Sequence, residues 1–384
     1  MYRLGDLGKI VTGKTPPTRN SSYWNGDIPF VTPKDIQVNK YCCQTERSLT
    51  TAGIEIIKNC KLPKGSLCVS CIGSIGYVAM LANDSVTNQQ INSIIVSKDF
   101  DKDFIFYLLR SLKSFFIHYT GSGSVLPILN KATFQQIKVK VPSLPTQRKI
   151  AAILSSLDDK IENNNAICNN LEEQAAALYK SWFVDFEPFG GQLPKSWRER
   201  DIYSIAEVIY GAPFSSKLFN SEKRGVPILR IRDLKKQDSD VYTDEVHPKA
   251  YVISPGDIVV GMDGEFQPHI WGGVEGLLNQ RVCVFRNMRP KGSFFLYFTI
   301  LPQLNFIEKT EMATTVIHIG KKDFDAFRVL VPTDDVLEKF DALSDPMYKE
   351  IVSLRQENRR LFSLRDTLLP KLMSGEVEVD KVAI

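Results

Sequence analysis

Long apolar runs are missing from this chain of 384 residues. No stretch approaches the roughly 18 uncharged apolar residues that a membrane-spanning helix needs, and no signal-peptide core opens the sequence. Both absences point to a cytoplasmic protein. Histidine is scarce, with four scattered residues, too few and too dispersed to form a metal set. The seven cysteines are odd in number and lack framework spacing. They exclude a disulfide scaffold and read as small apolar residues of a reducing compartment. Cys68 and Cys71 stand three apart, the spacing of a zinc or redox pair, but on a strand they face opposite ways and cannot share one ion. The net charge of +4 is mild, so any nucleic-acid contact must come from local clusters of Lys and Arg. Disorder is excluded by 43% hydrophobic and 24% charged residues, a composition that supplies two or three ordinary cores at this length.

One nucleotide-binding pattern is present. Gly8 to Thr15, GKIVTGKT, matches G-x-x-x-x-G-K-[ST]. Such a loop needs a buried strand before it and a helix that starts at the Lys-Thr pair. Only MYRLGDL precedes it, short and polar. Pro16 and Pro17 follow directly, and a residue before proline is pushed out of the helical region. The flanks predict a basic surface turn instead of a phosphate loop.

The chain is written twice. Asn88-Gln89 answers Asn279-Gln280 at an offset of 191, and Phe134, Val139, Val141 and Pro142 answer Phe324, Val329, Val331 and Pro332 at 190. Further upstream GDIPFVTPKDI from Gly26 resembles GVPILRIRDL from Gly225, and LPKGSLCVS from Leu62 resembles ISPGDIVVG from Ile253. KIVTGKTPPT lines up with EVIYGAPFSS from Glu207. That partner keeps the Gly and one Pro and lacks Lys-Thr, which again makes the phosphate-loop match a coincidence. A repeat of this length is an architectural unit.

Each copy opens with alternating strand-like segments broken by Gly, Pro, Asn and Asp turns, then becomes a long helical pattern. After Pro145 the first seam runs Ile150, Leu154, Leu157, Ile161, Asn164, Cys168, Leu171, Ala175, Leu178 and Trp182. The second runs Phe340, Ser344, Met347, Ile351, Leu354, Asn358, Leu361, Arg365, Leu368 and Leu372, frayed at Ser344 and Arg365. Pairing the seams antiparallel covers both apolar stripes at once. If Asn164 meets Asn358, Leu154 faces Leu368 and Leu157 is set against Arg365; the buried Asn pair costs stability and fixes register. Trp182, Phe183 and Phe186 close the first seam and suit either core or a partner surface. The expected architecture is α+β: two mixed α/β domains at residues 1–144 and 187–332, each followed by a long helix at 145–186 and 333–384. The helices would form an antiparallel coiled coil with pseudo-two-fold symmetry. A helix pair of ~30 residues per strand is ~45 Å long. That exceeds the ~34 Å of one DNA turn, so the layout suits two related modules reading two short sequences at a fixed separation.

Several stretches carry a resemblance: YRLGDLGKIVTGKTPPT and IPFVTPKDI, then LPTQRKIAAILSSLDDKIE opening the central helix, LYKSWFVDFEPF closing it, and LLPKLMSGEVEV at the end. In this order they resemble the specificity subunits of Type I restriction-modification systems, over essentially the whole chain. The second helix departs from the pattern, since VPTDDVLEKFDAL lacks the usual Gln-x-x-Ile. The resemblance implies a DNA-recognition subunit without catalysis of its own. In that family two methyltransferase subunits dock on the one specificity subunit and methylate adenine in each half of a bipartite site on double-stranded DNA, while motor-nuclease (restriction) subunits translocate and cut. The chain agrees in lacking an Asn/Asp-Pro-Pro-aromatic motif and a glycine fingerprint for a methyl donor; Asp185-Phe186-Glu187-Pro188-Phe189 has only one Pro. No cofactor is implied, and base flipping would belong to the partners.

On that reading, phosphate contacts come from Lys, Arg, Ser and Thr in exposed turns and base contacts from bidentate Arg, Lys, Gln and Asn. In the first module these are Lys14, Thr15, Arg19, Lys34, Gln89, Gln90, Ser122, Ser124 and Lys131. In the second they are Ser215, Ser216, Lys217, Arg230, Arg232, Gln267, His269, Gln280, Arg281, Thr314, His318 and Lys321. Gln89 and Gln280 recur in both copies and are equally suited to holding a turn. Two other readings stay open on the residues alone: a coiled-coil scaffold that reads no DNA, and a phosphate-loop nucleotide-binding protein.

Overall fold

A computed structural model of the chain describes residues 1–37, 40–119, 128–311 and 318–379. It divides into two compact units. The first comprises the residues up to Asp159 together with those from Phe362 onward; the second is Lys160–Leu361.

The first unit is built around a five-stranded sheet in the order Gly8–Thr12, Ile91–Val96, Leu67–Ser70, Val78–Leu81 and Tyr41–Cys42. All its neighbours are antiparallel except the last pair. Leu67–Ser70 is buried on both faces. Alternation along the strand sends Leu67 and Val69 to one core with Ile10, Phe104 and Phe134, and Cys68 to the other with Val11, Phe30 and Leu81. Helix Lys102–Ser111 covers the first face, its start capped by Asp101, which accepts from the Phe104 N–H at 2.9 Å. A three-stranded sheet of Arg47–Leu49, Trp24–Val31 and Val86–Thr87 carries residues of the second core. Cys68 and Cys71 therefore belong to different cores, as their strand spacing requires, and among the described residues no His, Cys, Asp and Glu group could hold a metal.

The second unit repeats this plan. Its sheet runs Ala206–Tyr210, Val282–Asn287, Ile258–Gly261 and Pro268–Ile270, and a smaller sheet runs Tyr242–Thr243, Val226–Leu229, Gly276–Leu278 and Val252–Ile253. Ile258 and Val260 point to one core with Phe294 and Phe324, Val259 to the other with Trp271. Trp182, Phe183 and Phe186 join the first of these. Phe183 is buried, packing edge-on against Phe295 and Phe340, while Trp182 and Phe186 are half-buried at the margin of this core.

Two long helices span Leu144–Phe183 and Asp334–Ser374. Pro145 sits in the first turn, where its missing N–H is harmless. Gly375 follows the second helix at φ +79°, a left-handed end that glycine adopts without steric cost. Within the second unit the helices pair antiparallel: Asn164 Nδ2 donates to Asn358 Oδ1 at 2.9 Å and Asn358 Nδ2 to Asn165 Oδ1 at 2.9 Å. The Asn pair is thus in the expected register. Within the first unit Leu154 and Leu369 share a core with Leu372. The expected clash of Leu157 with Arg365 is absent. Arg365 turns to Asp158 instead, its Nη1 donating to Oδ1 at 2.7 Å, while Tyr107 OH and Arg110 meet the other carboxylate oxygen at 2.7 and 3.8 Å. What read as a frayed seam position is one end of a buried ionic network.

Among the described residues no helix is long and apolar enough to cross a membrane.

Candidate nucleic-acid interface

In the first unit four loops meet at one end of the five-stranded sheet. The strand Gly8–Thr12 ends at Gly13, whose N–H donates to Ile91 O at 3.2 Å. A Cβ on Gly13 would lie 2.2 Å from the Thr87 and Asn88 carbonyl oxygens, so only glycine lets this loop lie on the Asn88–Gln90 turn. No helix follows Lys14 and Thr15; the phosphate-loop geometry is not formed. The turn itself is pinned by Asn88 N–H to Val31 O at 3.0 Å and Ile91 N–H to Asn88 O at 3.2 Å. Cys71 N–H donates to Gln90 O at 2.7 Å and Leu129 N–H to Cys71 O at 2.8 Å, which adds the loops at 71–76 and 128–131. Exposed on this frame are Lys14, Thr15, Gln89 and Lys131. Thr15 Oγ1 donates to Gln89 Oε1 at 2.5 Å. Lys14 and Lys131 both lie close enough to the Cys60 thiol to oppose the rise that burial imposes on its pKa.

The second unit rebuilds the frame bond for bond. Gly211 N–H donates to Val282 O at 2.9 Å, Asn279 N–H to Leu229 O at 3.1 Å, Val282 N–H to Asn279 O at 3.3 Å, Met262 N–H to Arg281 O at 2.8 Å and Ile319 N–H to Met262 O at 3.0 Å. These are the same five bonds moved along the chain by the offsets of the sequence repeat. Gly211 repeats the close approach too, since a Cβ there would lie 2.0 Å from Asn279 O. The side chains differ. Where the first unit bridges Ile72 to Ile128, the second bridges Asp263 to His318. His318 Nδ1 lies 2.6 Å from Asp263 Oδ1, and Arg281 Nη1 lies 2.6 Å from His318 Nε2. Both units present an amide and an ammonium group, Gln89 and Lys131 in one and Gln280 and Lys321 in the other, and the second alone adds a guanidinium, imidazole and carboxylate.

A sequence profile described as Type I restriction modification DNA specificity domain matches residues 1–173 and 194–345. The chain belongs to this family. It is 28% identical over 407 aligned residues, 99% of this chain and 94% of the other, to the Type I restriction enzyme MjaIX specificity subunit of Methanocaldococcus jannaschii. It is 34% identical to the Type I restriction enzyme HindI specificity subunit of Haemophilus influenzae over 42% of this chain and 37% of that one. The crystal structure of a Type I restriction-modification S subunit from M. genitalium shares the fold, with a TM-score of 0.53 at 16% identity over 96% of this chain and 94% of that chain. The two matched segments each contain one copy of the repeat, so the family's DNA specificity domain accounts for both frames.

The remaining candidates fall into three groups in this specificity subunit. Arg19, Arg232, Gln280 and the turn Ser216–Leu218 with Lys217 are exposed, and Ser215 and Ser216 lie on the loop that follows Gly211. The backbone N–H of Ser215 donates to the Glu245 carboxylate at 2.8 Å. Others hold scaffold contacts. Arg230 forks onto the buried Asp233 at 2.8 and 3.2 Å, the counterpart of the Thr32–Asp35 contact; Gln90 accepts from Asn88 Nδ2 at 2.9 Å; Gln267 donates to Asn305 at 2.7 Å. Lys34 faces Glu46 at 3.9 Å and Lys321 faces Asp325 at 2.9 Å. His269 is half-buried on its strand, and desolvation holds its pKa below the usual imidazole value. Ser122, Ser124 and Thr314 lie outside the described residues. Sequence reasoning missed Asp263. The signal was available: SCIG and GMDG align at the offset of 191, and Gly73 and Gly264 share φ near +75° at +74° and +78°, so Ile72 and Asp263 occupy one loop position with opposite chemistry.

Proposed function

We propose that each unit reads one half of a bipartite double-stranded DNA site through its loop frame, and that the chain delivers two adenine methyltransferase subunits, and with them the motor-nuclease subunits, to that site in the cytoplasm. The observation that carries this reading is the frame itself: five backbone hydrogen bonds and one glycine close approach recur, with Gln89 and Lys131 repeated as Gln280 and Lys321, while Lys14, Ile72, Gln90 and Ile128 are replaced by Ala212, Asp263, Arg281 and His318. Fixed backbone with variable polar side chains is what two readers of different short sequences need, because positioning comes from the frame and discrimination from the groups that reach base edges. In the first unit Lys14, Thr15, Gln89 and Lys131 supply the candidate contacts, and in the second Lys217, Gln280, Arg281 and His318; Arg19, Arg232, Ser215 and Ser216 lie on exposed flanking turns suited to phosphate. Chemistry on the target base belongs to the partner subunits.

Single-molecule sequencing of modified bases in the host genome, with and without the gene, tests this. Loss of one split N6-methyladenine motif on deletion is the expected result. Unchanged methylation with the methyltransferase subunits expressed would leave the chain as a scaffold that reads no DNA.

A further inference from the structure

Arg281 and its neighbours carry a more specific assignment, which rests on the DNA-reading function just proposed. The turn Asn279–Arg281 departs from its counterpart at one point. In the first unit the Gln90 N–H closes back on Asn88 Oδ1 at 3.1 Å. In the second, Arg281 takes the left-handed conformation at φ +71°, unusual for a side-chain-bearing residue, and Asn279 Oδ1 is buried without a partner among the described residues. A local bond made in one copy is given up in the other, and the residue that departs carries a guanidinium. Strained backbone that the surrounding fold maintains marks functional positions.

The guanidinium is oriented, not merely exposed. Asp263 Oδ1 lies 2.6 Å from His318 Nδ1, and Met262 O lies 2.9 Å from the same nitrogen; both are acceptors, so Nδ1 carries the proton and donates. Arg281 Nη1 lies 2.6 Å from Nε2 and 2.9 Å from Nδ1, so the guanidinium rests against the imidazole beside both ring nitrogens. Asp263 Oδ2 also faces Arg281 Nε at 3.8 Å. Nη2 has no acceptor among the described residues. One hydrogen from each Nη forms the end-on fork of a guanidinium, and such a planar fork of two parallel N–H groups matches the O6 and N7 acceptors of guanine in the major groove. The carboxylate and imidazole behind it fix the plane of the fork and remove the rotamer freedom that an isolated Arg would lose on binding.

We infer that Arg281, held by His318 and Asp263, reads a guanine in the half-site of the second unit. Its counterpart Gln90 has its side-chain oxygen engaged by Asn88, so the two units present different groups at this position.

The test uses the chain assembled with its methyltransferase subunits and duplex oligonucleotides bearing the genomic methylation motif. Methylation rates are compared for each guanine of the second unit's half-site and for the same duplex with 7-deazaguanine, which lacks the N7 acceptor. At one position, 7-deazaguanine is expected to reduce kcat/KM with the wild-type chain and to have no further effect with Arg281→Gln. Arg281→Lys keeps the charge but loses the fork, so discrimination at that position should fall roughly 5- to 150-fold, the worth of one bidentate base contact, in both variants. His318→Gln tests positioning: it should relax the same base position while the other half-site keeps its selectivity. If Arg281→Lys restores full activity and every 7-deazaguanine duplex behaves as guanine, Arg281 contacts phosphate and the assignment fails while the wider function stands. If Arg281→Gln loses all activity, circular dichroism and the Lys variant decide: a folded Lys variant with unchanged base preference overturns the assignment. A wild-type chain that directs no split motif removes the function beneath it.

Discussion

Replacing Asp158 by Asn removes the centre of the ionic network in the first unit. The carboxylate is 4% exposed and meets Arg365 at 2.7 Å, Tyr107 OH at 2.7 Å and Arg110 at 3.8 Å. Arg365 is 6% exposed, so its charge is left with little solvent to turn to. Stranding one partner of a buried pair costs about 3–5 kcal/mol. The lower end applies here, because the substituted amide still offers one acceptor oxygen and Asp366 keeps its contact with Arg365 at 2.8 Å. At ~2–4 °C per kcal/mol for a unit of this size, a loss of about 3 kcal/mol lowers its melting transition by ~6–12 °C. Scanning calorimetry of the full chain reads that shift. Asp158→Leu combined with Arg365→Met should bring the transition back to within ~1 kcal/mol of wild type or above it, since well-packed apolar pairs match or exceed buried ion pairs. An Asp158→Asn variant melting within about 1 °C of wild type would refute the argument that this pair holds the helices.

Other outcomes follow from the same geometry. Asn164→Leu with Asn358→Leu should raise the melting temperature, because a buried Asn pair costs stability and Asn164 Oδ1 has no partner among the described residues; a drop in calorimetric stability would contradict this. Gly13→Ala and Gly211→Ala each place a Cβ within 2.2 Å of carbonyl oxygen, and each should cost about 1–3 kcal/mol by overpacking and relax the methylation motif in one half-site only, seen by modified-base sequencing. His269 has a folded-state pKa below its unfolded value through burial, with Glu265 opposing and Arg355 and Lys235 adding to the depression. The unfolded chain therefore binds a proton that the native one refuses as pH falls below about 6.5, and wild type should lose more stability than His269→Gln between neutral pH and mildly acid pH, measured by urea unfolding. Cys43 is exposed and the other six cysteines are buried, with burial raising Cys42 and Cys71 to about 11 and Cys68 to about 12; native alkylation followed by mass spectrometry should label Cys43 rapidly and the rest only on unfolding.

The sequence disclosed most of the architecture, because burial leaves periodic traces. Alternation predicted the strands, the heptad seams predicted the long helices, and the Asn pair predicted the antiparallel register. Arg365 defeated the seam reading for a physical reason: an apolar-or-not pattern scores a buried Arg as a defect, whereas its Asp158 partner lies on the other helix, where no periodicity within one segment can announce it. The loop frame was half legible. Gly13, Gly211 and the two Asn-Gln pairs stood out as repeats, yet what they do depends on backbone bonds between loops far apart in sequence. Residue type alone selects Arg230 and cannot show that its Nε and Nη2 hold Asp233 within the same turn.

The contrast between Arg230 and Arg281 separates scaffold from reader more sharply than exposure does. Both are arginines on turns of the second unit, and both meet an aspartate. Arg230 gives its Nε and Nη2 edge to one buried carboxylate, and Thr32 occupies the same place in the first unit with its hydroxyl on Asp35, so the two copies keep the contact with different chemistry. Arg281 rests against a histidine that is itself oriented and faces Asp263 through Nε at 3.8 Å, and its counterpart Gln90 has no equivalent contact. Repeats therefore supply their own control. A polar interaction preserved between copies is holding the frame, and one that appears in a single copy, at the cost of a strained backbone and an unsatisfied Asn279, is where we propose the two half-sites are told apart.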